Sequence, residues 1–121
     1  MDMAVTDAEG VTKIALEGRF DVAGANEVNA RFEEIANRAA CVVVDLSKVT
    51  FIASLGVRTL MVSARTLIRR SGDMAVCGAT EGVEKVLSST GFDEIVNFYP
   101  DFSSAAKALT RRQDQFTTKK A

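Results

Sequence analysis

Histidine is missing from this 121-residue sequence, and so is a glycine-rich loop of the kind that cradles phosphate. Without histidine, the chain lacks the commonest general base, the usual nucleophilic triads and the ligand of most transition-metal sites. Its two cysteines, Cys41 and Cys77, lie far apart and inside apolar runs, so we expect reduced core thiols rather than a disulfide framework or a zinc site. We therefore predict no catalytic residue, no bound metal and no cofactor.

An excess of either charge is missing as well, since 15 basic and 16 acidic residues give a net charge of −1. A dedicated nucleic-acid binder is expected to be visibly basic, so no nucleic-acid partner is predicted. The longest apolar runs fall well short of the roughly eighteen residues that a membrane span requires. No charged leader followed by an apolar stretch opens the chain. These patterns predict a cytoplasmic protein without a membrane span.

The length and composition fit one folded domain, since 47% of the residues are hydrophobic and 26% are charged. Charge is distributed unevenly along this domain. Residues 1–110 carry 11 basic and 15 acidic side chains, whereas residues 111–121 carry 4 and 1 and show no apolar periodicity. We predict a domain over residues 1–110, followed at 111–121 by a basic C-terminal tail or helix extension.

Short apolar runs alternate with amphipathic stretches along the chain. The runs predict strands at residues 11–16, 41–44, 74–77 and 95–96, with residues 3–6 as a candidate first strand. Between them, apolar residues recur at spacings of three and four, which is typical of amphipathic helices. The four predicted helices follow residues suited to N-capping, namely Asp21, Ser54, Thr80 and Asp101. This order predicts an α/β fold with a mostly parallel sheet of four to five strands, flanked by about four helices.

Residues 45–56 form the most distinctive connection between a predicted strand and a predicted helix. Functional surfaces of open α/β sheets usually lie on such connections, at the carboxyl ends of the strands. A phosphate on Ser54 would face unpaired backbone amides and the positive end of the helix dipole. Serine is equally a good N-cap for purely architectural reasons. Gly56 either lets a partner's backbone approach or lets the helix pack tightly against a strand.

The same connection resembles the signature of STAS domains. The residues that carry this resemblance are Asp45-Leu46-Ser47, Val49, Phe51-Ile52-Ala53-Ser54-Leu55-Gly56-Val57 and Leu60. Further landmarks similar to those of the family are Gly18-Arg19-Phe20-Asp21, Ser71-Gly72 and Thr90-Gly91-Phe92. The resemblance covers approximately residues 3 to 109 and implies a mixed sheet flanked by helices, with no catalytic activity.

The antagonist branch of that family works by exchanging partners. Its unphosphorylated domain binds an anti-sigma factor of the histidine-kinase-like ATPase type and so releases a sigma factor, and phosphorylation by the same kinase breaks the complex. The resemblance therefore implies an anti-sigma factor antagonist that regulates transcription. The partner-binding residues that it implies here are Asp21, Phe51, Ile52, Ala53, Ser54, Leu55, Gly56 and Arg58. A second hypothesis is an accessory subunit of a membrane anion or lipid transport system. A third, a nucleotide hydrolase, is disfavoured because the chain lacks histidine and a phosphate-binding loop. A homodimer is also left open.

The sequence departs from the family pattern at the phosphoacceptor. The family carries Asp-Ser-Ser-Gly or Asp-Ser-Thr-Gly, and the acceptor is normally the hydroxyl residue directly before glycine. Aligned on Gly56, that position is Leu55, and the aspartate is replaced by Ala53. Either Ser54, one residue earlier, is the acceptor, or this connection is not phosphorylated.

Overall fold

A computed structural model describes the backbone of residues 1–120 and the side chains of residues 1–112. Residues 1–120 contain five strands, four α-helices and a short 3₁₀-helix at Phe92–Glu94. The strands are β1 (Asp2–Ala8), β2 (Val11–Phe20), β3 (Cys41–Ile52), β4 (Asp73–Cys77) and β5 (Asn97–Tyr99). The helices are α1 (Val22–Ala36), α2 (Ser54–Arg69), α3 (Glu81–Ser89) and α4 (Phe102–Lys120). Of the C-terminal segment predicted at 111–121, Ala121 lies outside the described residues.

The strands form one sheet in the order β1-β2-β3-β4-β5. β1 pairs with β2 in antiparallel orientation, and the other three pairs are parallel. Each parallel pair is joined through a helical crossover, as parallel pairing requires. The prediction of a mixed, mostly parallel sheet with flanking helices is therefore confirmed.

β3 lies at the centre of the sheet, and its first half is covered on both faces. Val42 and Val44 belong to the core cluster that α1, α2 and α3 complete. Cys41 and Val43 point to the opposite face, where they pack with α4. Burial raises the pKa of the Cys77 thiol to about 12, so this side chain on β4 remains protonated and packs as an apolar group. Two-sided burial explains why residues 41–44 are continuously apolar.

Three of the four predicted N-caps are confirmed by hydrogen bonds to backbone amides in the first turn of a helix. Asp21 Oδ1 accepts from Gly24 N at 2.9 Å in α1. Thr80 Oγ1 accepts from Val83 N at 3.4 Å in α3, and Asp101 Oδ1 accepts from Ser104 N at 2.8 Å in α4. These bonds satisfy amide groups that have no partner within their own helix.

The strand predicted at residues 95–96 is wrong, since β5 begins two residues later, at Asn97. Gly91 adopts a left-handed conformation with φ +82° and starts the 3₁₀-helix. The amide of Val96 then donates to the carbonyl of Phe92 at 3.0 Å. Residues 95 and 96 therefore close a turn, and Val96 is buried there rather than in the sheet.

Candidate functional site

The connection predicted at residues 45–56 is mostly strand, because β3 continues to Ile52. Its second half pairs with the end of β2 across two register shifts. Leu46, Val49 and Ile52 are buried there at a spacing of three rather than two. Only Ala53 separates the end of β3 from the start of α2. The N-terminus of α2 is therefore held directly by the sheet and not by a long loop.

The start of α2 packs against the last residue of β2. The amide of Ala53 donates to the carbonyl of Phe20 at 3.0 Å. A Cβ added at Gly56 would lie 2.6 Å from the Phe20 oxygen and 2.9 Å from its Cγ. Of the two roles that the sequence left open for Gly56, the structure supports close packing within the chain.

Ser54 is the first residue of α2 and not its N-cap, which corrects the prediction. The N-cap is Ala53, which makes no side-chain capping bond. The Ser54 side chain is exposed. Among the side chains of residues 1–112, none therefore caps the first amides of α2, and these groups remain available to an anion or to a partner.

The end of β2 and the N-cap of α1 lie beside the end of β3 and add two charged side chains, Arg19 and Asp21. The Arg19 guanidinium carbon lies 4.4 Å from the centroid of the Phe51 ring, and Arg19 Nε lies 3.6 Å from Asp21 Oδ2. The hydrogen bond from Gly24 N lowers the pKa of Asp21, and the charge of Arg19 lowers it further. Sequence reasoning did not include Arg19 among the site residues, although Arg19 pairs with Phe51 in the β2–β3 register.

The structure brings most of the predicted site residues to one exposed area. Phe51 and Leu55 are large apolar side chains that are 41% and 38% exposed, and they lie close together in this area. Arg58 is exposed one helical turn after Ser54. We call this area the junction surface, and it consists of Arg19, Asp21, Phe51, Ala53, Ser54, Leu55 and Arg58.

Two of the predicted partner-binding residues lie beneath the junction surface and not on it. Ile52 is only 3% exposed and belongs to the core between the sheet and the helices. Gly56 is also buried, against Phe20. The prediction that they contact a partner is therefore corrected, since both residues position the exposed ones above them.

The remaining chemistry of the described residues is limited. No three acidic or cysteine side chains within residues 1–112 are grouped so that they could hold a metal ion. None of the helices in the described part of the chain is both long enough and apolar enough to cross a bilayer. The junction surface instead combines an aromatic ring, an aliphatic side chain, two guanidinium groups and one carboxylate, a mixture typical of protein interfaces.

The sequence matches the STAS domain family over residues 2–105, and this match spans the sheet and all of α1 to α3. The chain belongs to the STAS domain family. An anti-sigma F factor antagonist from Paenibacillus polymyxa is 26% identical to this STAS domain over 103 residues, which are 84% of this chain and 86% of that protein.

Solved structures with the same fold include two proteins of the antagonist branch. An anti-sigma factor antagonist from Mycobacterium paratuberculosis superposes with a TM-score of 0.81 at 24% identity and covers 90% of this chain and 93% of its own. An anti-sigma-factor antagonist (STAS) domain protein from Planctomyces limnophilus has a TM-score of 0.83 at 23% identity, with coverages of 91% and 99%. At these identities the two solved structures show the shared fold alone. Support for the anti-sigma factor antagonist hypothesis over that of a transporter accessory subunit comes from the Paenibacillus polymyxa relative.

Proposed function

We propose that this STAS domain is an anti-sigma factor antagonist that regulates transcription by exchanging partners. It binds an anti-sigma factor of the histidine-kinase-like ATPase type through the junction surface, and binding releases a sigma factor. The observation that carries this proposal is the exposure of Phe51 and Leu55 beside the N-terminus of α2. A partner gains free energy when it desolvates such side chains, and the charged groups around them fix its orientation.

The proposed role in the cytoplasm is recognition without turnover. Asp21 is the carboxylate of the junction surface, and its Oδ1 is already engaged by the backbone of α1. Arg19 is held between Asp21 and the Phe51 ring. These groups are arranged to present a fixed surface, which needs no cofactor. A homodimer is a separate prediction, which light scattering on the purified domain tests.

Phosphorylation at Ser54 is the proposed control of this binding. The anti-sigma kinase would transfer the γ-phosphoryl group of ATP to Ser54 Oγ, with ADP leaving and the hydroxyl proton passing to the kinase. The product dianion would lie among the uncapped amides of α2, one turn before Arg58. The amides and the helix dipole would stabilise the phosphate there. Its two negative charges would oppose partner binding, because the complex has to remove water from this part of the surface. Leu55, at the family's usual acceptor position, has no hydroxyl to accept phosphate.

A calorimetric titration of the domain with the anti-sigma factor of its own organism tests the proposal. We expect a complex with unmodified protein and with Ser54→Ala. We expect at least a tenfold loss of affinity with Ser54→Asp, since the added carboxylate stands in for phosphate at a desolvated position. If neither the unmodified domain nor Ser54→Ala binds, the proposed function is wrong. If Ser54→Ala and Ser54→Asp bind with equal affinity, only the proposed control by phosphorylation is wrong.

A further inference from the structure

α2 is the one helix of α1 to α4 whose sequence has cations and no acidic residue, since its ionisable side chains are Arg58, Arg65 and Arg69. All three are exposed. No ion pair between described residues includes any of them, and the contact described for Arg69 is with the hydroxyl of Thr66 at 3.4 Å. Among the side chains of residues 1–112, no carboxylate therefore forms an ion pair with these three arginines.

These arginines alternate with exposed apolar side chains along one face of the helix. Val62 is 53% exposed and lies seven residues, or about two turns, after Leu55. The spacing of these five residues places them in one row that begins at the junction surface. We call this row the α2 stripe, and it consists of Leu55, Arg58, Val62, Arg65 and Arg69.

Arg70, the residue that follows α2, differs from the arginines of the stripe because its contacts give it a structural role. Its Nη1 donates to the carbonyl oxygens of Ala36 and Ala39 at 2.7 and 2.9 Å. These bonds satisfy carbonyl groups at and just beyond the C-terminal end of α1 and fix the position of that guanidinium, although the residue is exposed. Within the described part of the chain, the arginines of the stripe donate to no backbone carbonyl that would explain their positions.

A groove of about 610 Å³ runs between α1 and α2 beside the stripe. Leu55, Val62 and two of the arginines line the wall formed by α2. The opposite wall consists largely of uncharged amide side chains and has one carboxylate, that of Glu33. The groove therefore offers apolar contact and a net positive charge along about four turns of helix.

We infer that the α2 stripe binds an acidic amphipathic segment of the anti-sigma factor, an inference that rests on the proposed function. Carboxylates of that segment pair with Arg58, Arg65 and Arg69, and its apolar side chains cover Leu55 and Val62. Charge complementarity selects this partner, because the stripe is positive while the chain as a whole has a net charge of −1. A nucleic acid is a less suitable partner, because the surface around the narrow α2 stripe belongs to a chain with a net negative charge and would repel phosphates. The stripe thus extends the interface from the junction surface along the whole of α2.

Charge reversal far from the junction surface tests the inference. The double variant Arg65→Glu/Arg69→Glu alters the stripe, and Lys85→Glu/Lys107→Glu makes the same change in net charge on α3 and α4, where both lysines are exposed. Each is titrated with the anti-sigma factor at about 50 mM and about 300 mM salt, after thermal melts have shown that it folds. We expect the stripe variant to weaken Kd at least about tenfold at low salt and the control variant less than about threefold. The unmodified domain should lose more affinity at high salt than the stripe variant does.

The outcomes separate this inference from the proposed function. If the stripe variant binds the anti-sigma factor as well as the unmodified domain does, the inference that the stripe binds an acidic segment is wrong, and the proposed function stands. Equal losses in both double variants would show a general charge effect and would also overturn the inference. A third outcome would overturn the inference as well. In it, the unmodified domain binds duplex DNA, the stripe variant does not, and both bind the anti-sigma factor with the same affinity. No binding by the unmodified domain would overturn both.

Discussion

The guanidinium of Arg19 stacks on the exposed ring of Phe51, with 4.4 Å between the guanidinium carbon and the ring centroid. The two residues are 32 positions apart and face each other because β2 and β3 run parallel, with Arg19 paired to Phe51. The contact joins the end of β2, just before α1, to the end of β3, just before α2. It makes one surface out of two segments that the sequence presents separately.

Replacing Arg19 should weaken partner binding without affecting the core. Arg19→Ala removes the cation–π contact and the pairing with Asp21, and leaves the Phe51 ring free to change its orientation. An exposed cation–π contact is worth about 0.5–1 kcal/mol, which predicts a loss of affinity of about twofold to fivefold. Titration with the anti-sigma factor measures it. The matched control is Arg38→Ala, which removes an exposed ion pair with Glu34 on α1. Equal affinities for the two variants would contradict the role given to Arg19.

Asp21 should make the stability of the domain depend on pH. Because its pKa is lowered in the folded state, its contribution is present above the unfolded value of about 3.8 and is lost as the pH falls through the folded pKa. Asp21→Asn should therefore have a lower Tm than the unmodified protein near neutral pH, and the difference should vanish in more acidic solution.

Asp101→Asn is the control for this experiment. Asp101 caps α4 in the same way, and its pKa is lowered by the hydrogen bond from Ser104. Both variants should show the same dependence of Tm on pH, but only Asp21→Asn should weaken binding. A Tm difference for Asp21→Asn that persists at a pH well below 3.8 would show that its effect does not come from the charge.

Close packing at Gly56 predicts a large cost for a single methyl group. Gly56→Ala would force α2 away from the Phe20 backbone and should destabilise the domain by about 2 kcal/mol. Gly82→Ala is the matched control, since Gly82 lies in α3 with no atom within 4 Å of an added Cβ. There alanine should stabilise the domain by up to about 1 kcal/mol. Urea denaturation measures both, and a Gly56→Ala protein as stable as the unmodified one would refute the close contact.

Most of the fold could be predicted from the sequence because the caps and apolar runs depend on the residues of a single short segment. Asp21, Thr80 and Asp101 are caps by virtue of their own side chains, and the continuous apolarity of residues 41–44 reflects burial on both faces of the sheet. The second half of β3 could not be predicted in this way. Its buried residues, Leu46, Val49 and Ile52, follow register shifts against β2 and recur at a spacing of three, which does not match the alternation of a regular strand.

The junction surface was predicted in part for a similar reason. Phe51, Leu55 and Arg58 could be found because they adjoin a recognisable motif, and the structure shows them exposed. The burial of Ile52 could not be foreseen, since it depends on where β3 ends. Arg19 became part of the surface only through a pairing with another strand. Such contacts between segments distant in sequence cannot be read from the order of residues within one segment.

The phosphoacceptor can be identified by restoring the family's usual residue. After incubation with the anti-sigma kinase and ATP, mass spectrometry should find one phosphate on Ser54 of the unmodified domain and none on Ser54→Ala. Leu55→Ser should accept phosphate at residue 55, because it returns a hydroxyl to the position directly before Gly56. Phosphate on Leu55→Ser and none on the unmodified domain would mean that this chain has lost the control by phosphorylation.

The most direct test of the docking surface is the affinity of Phe51→Ala for the anti-sigma factor, compared with that of Val86→Ala. Both residues are exposed and apolar, at 41% and 36%, but Val86 lies on α3, outside the junction surface. We expect Phe51→Ala to weaken Kd by about tenfold to thirtyfold, as loss of a central aromatic contact should. Val86→Ala should bind like the unmodified domain. If the two variants bind with the same affinity, the junction surface is not where this domain meets its partner.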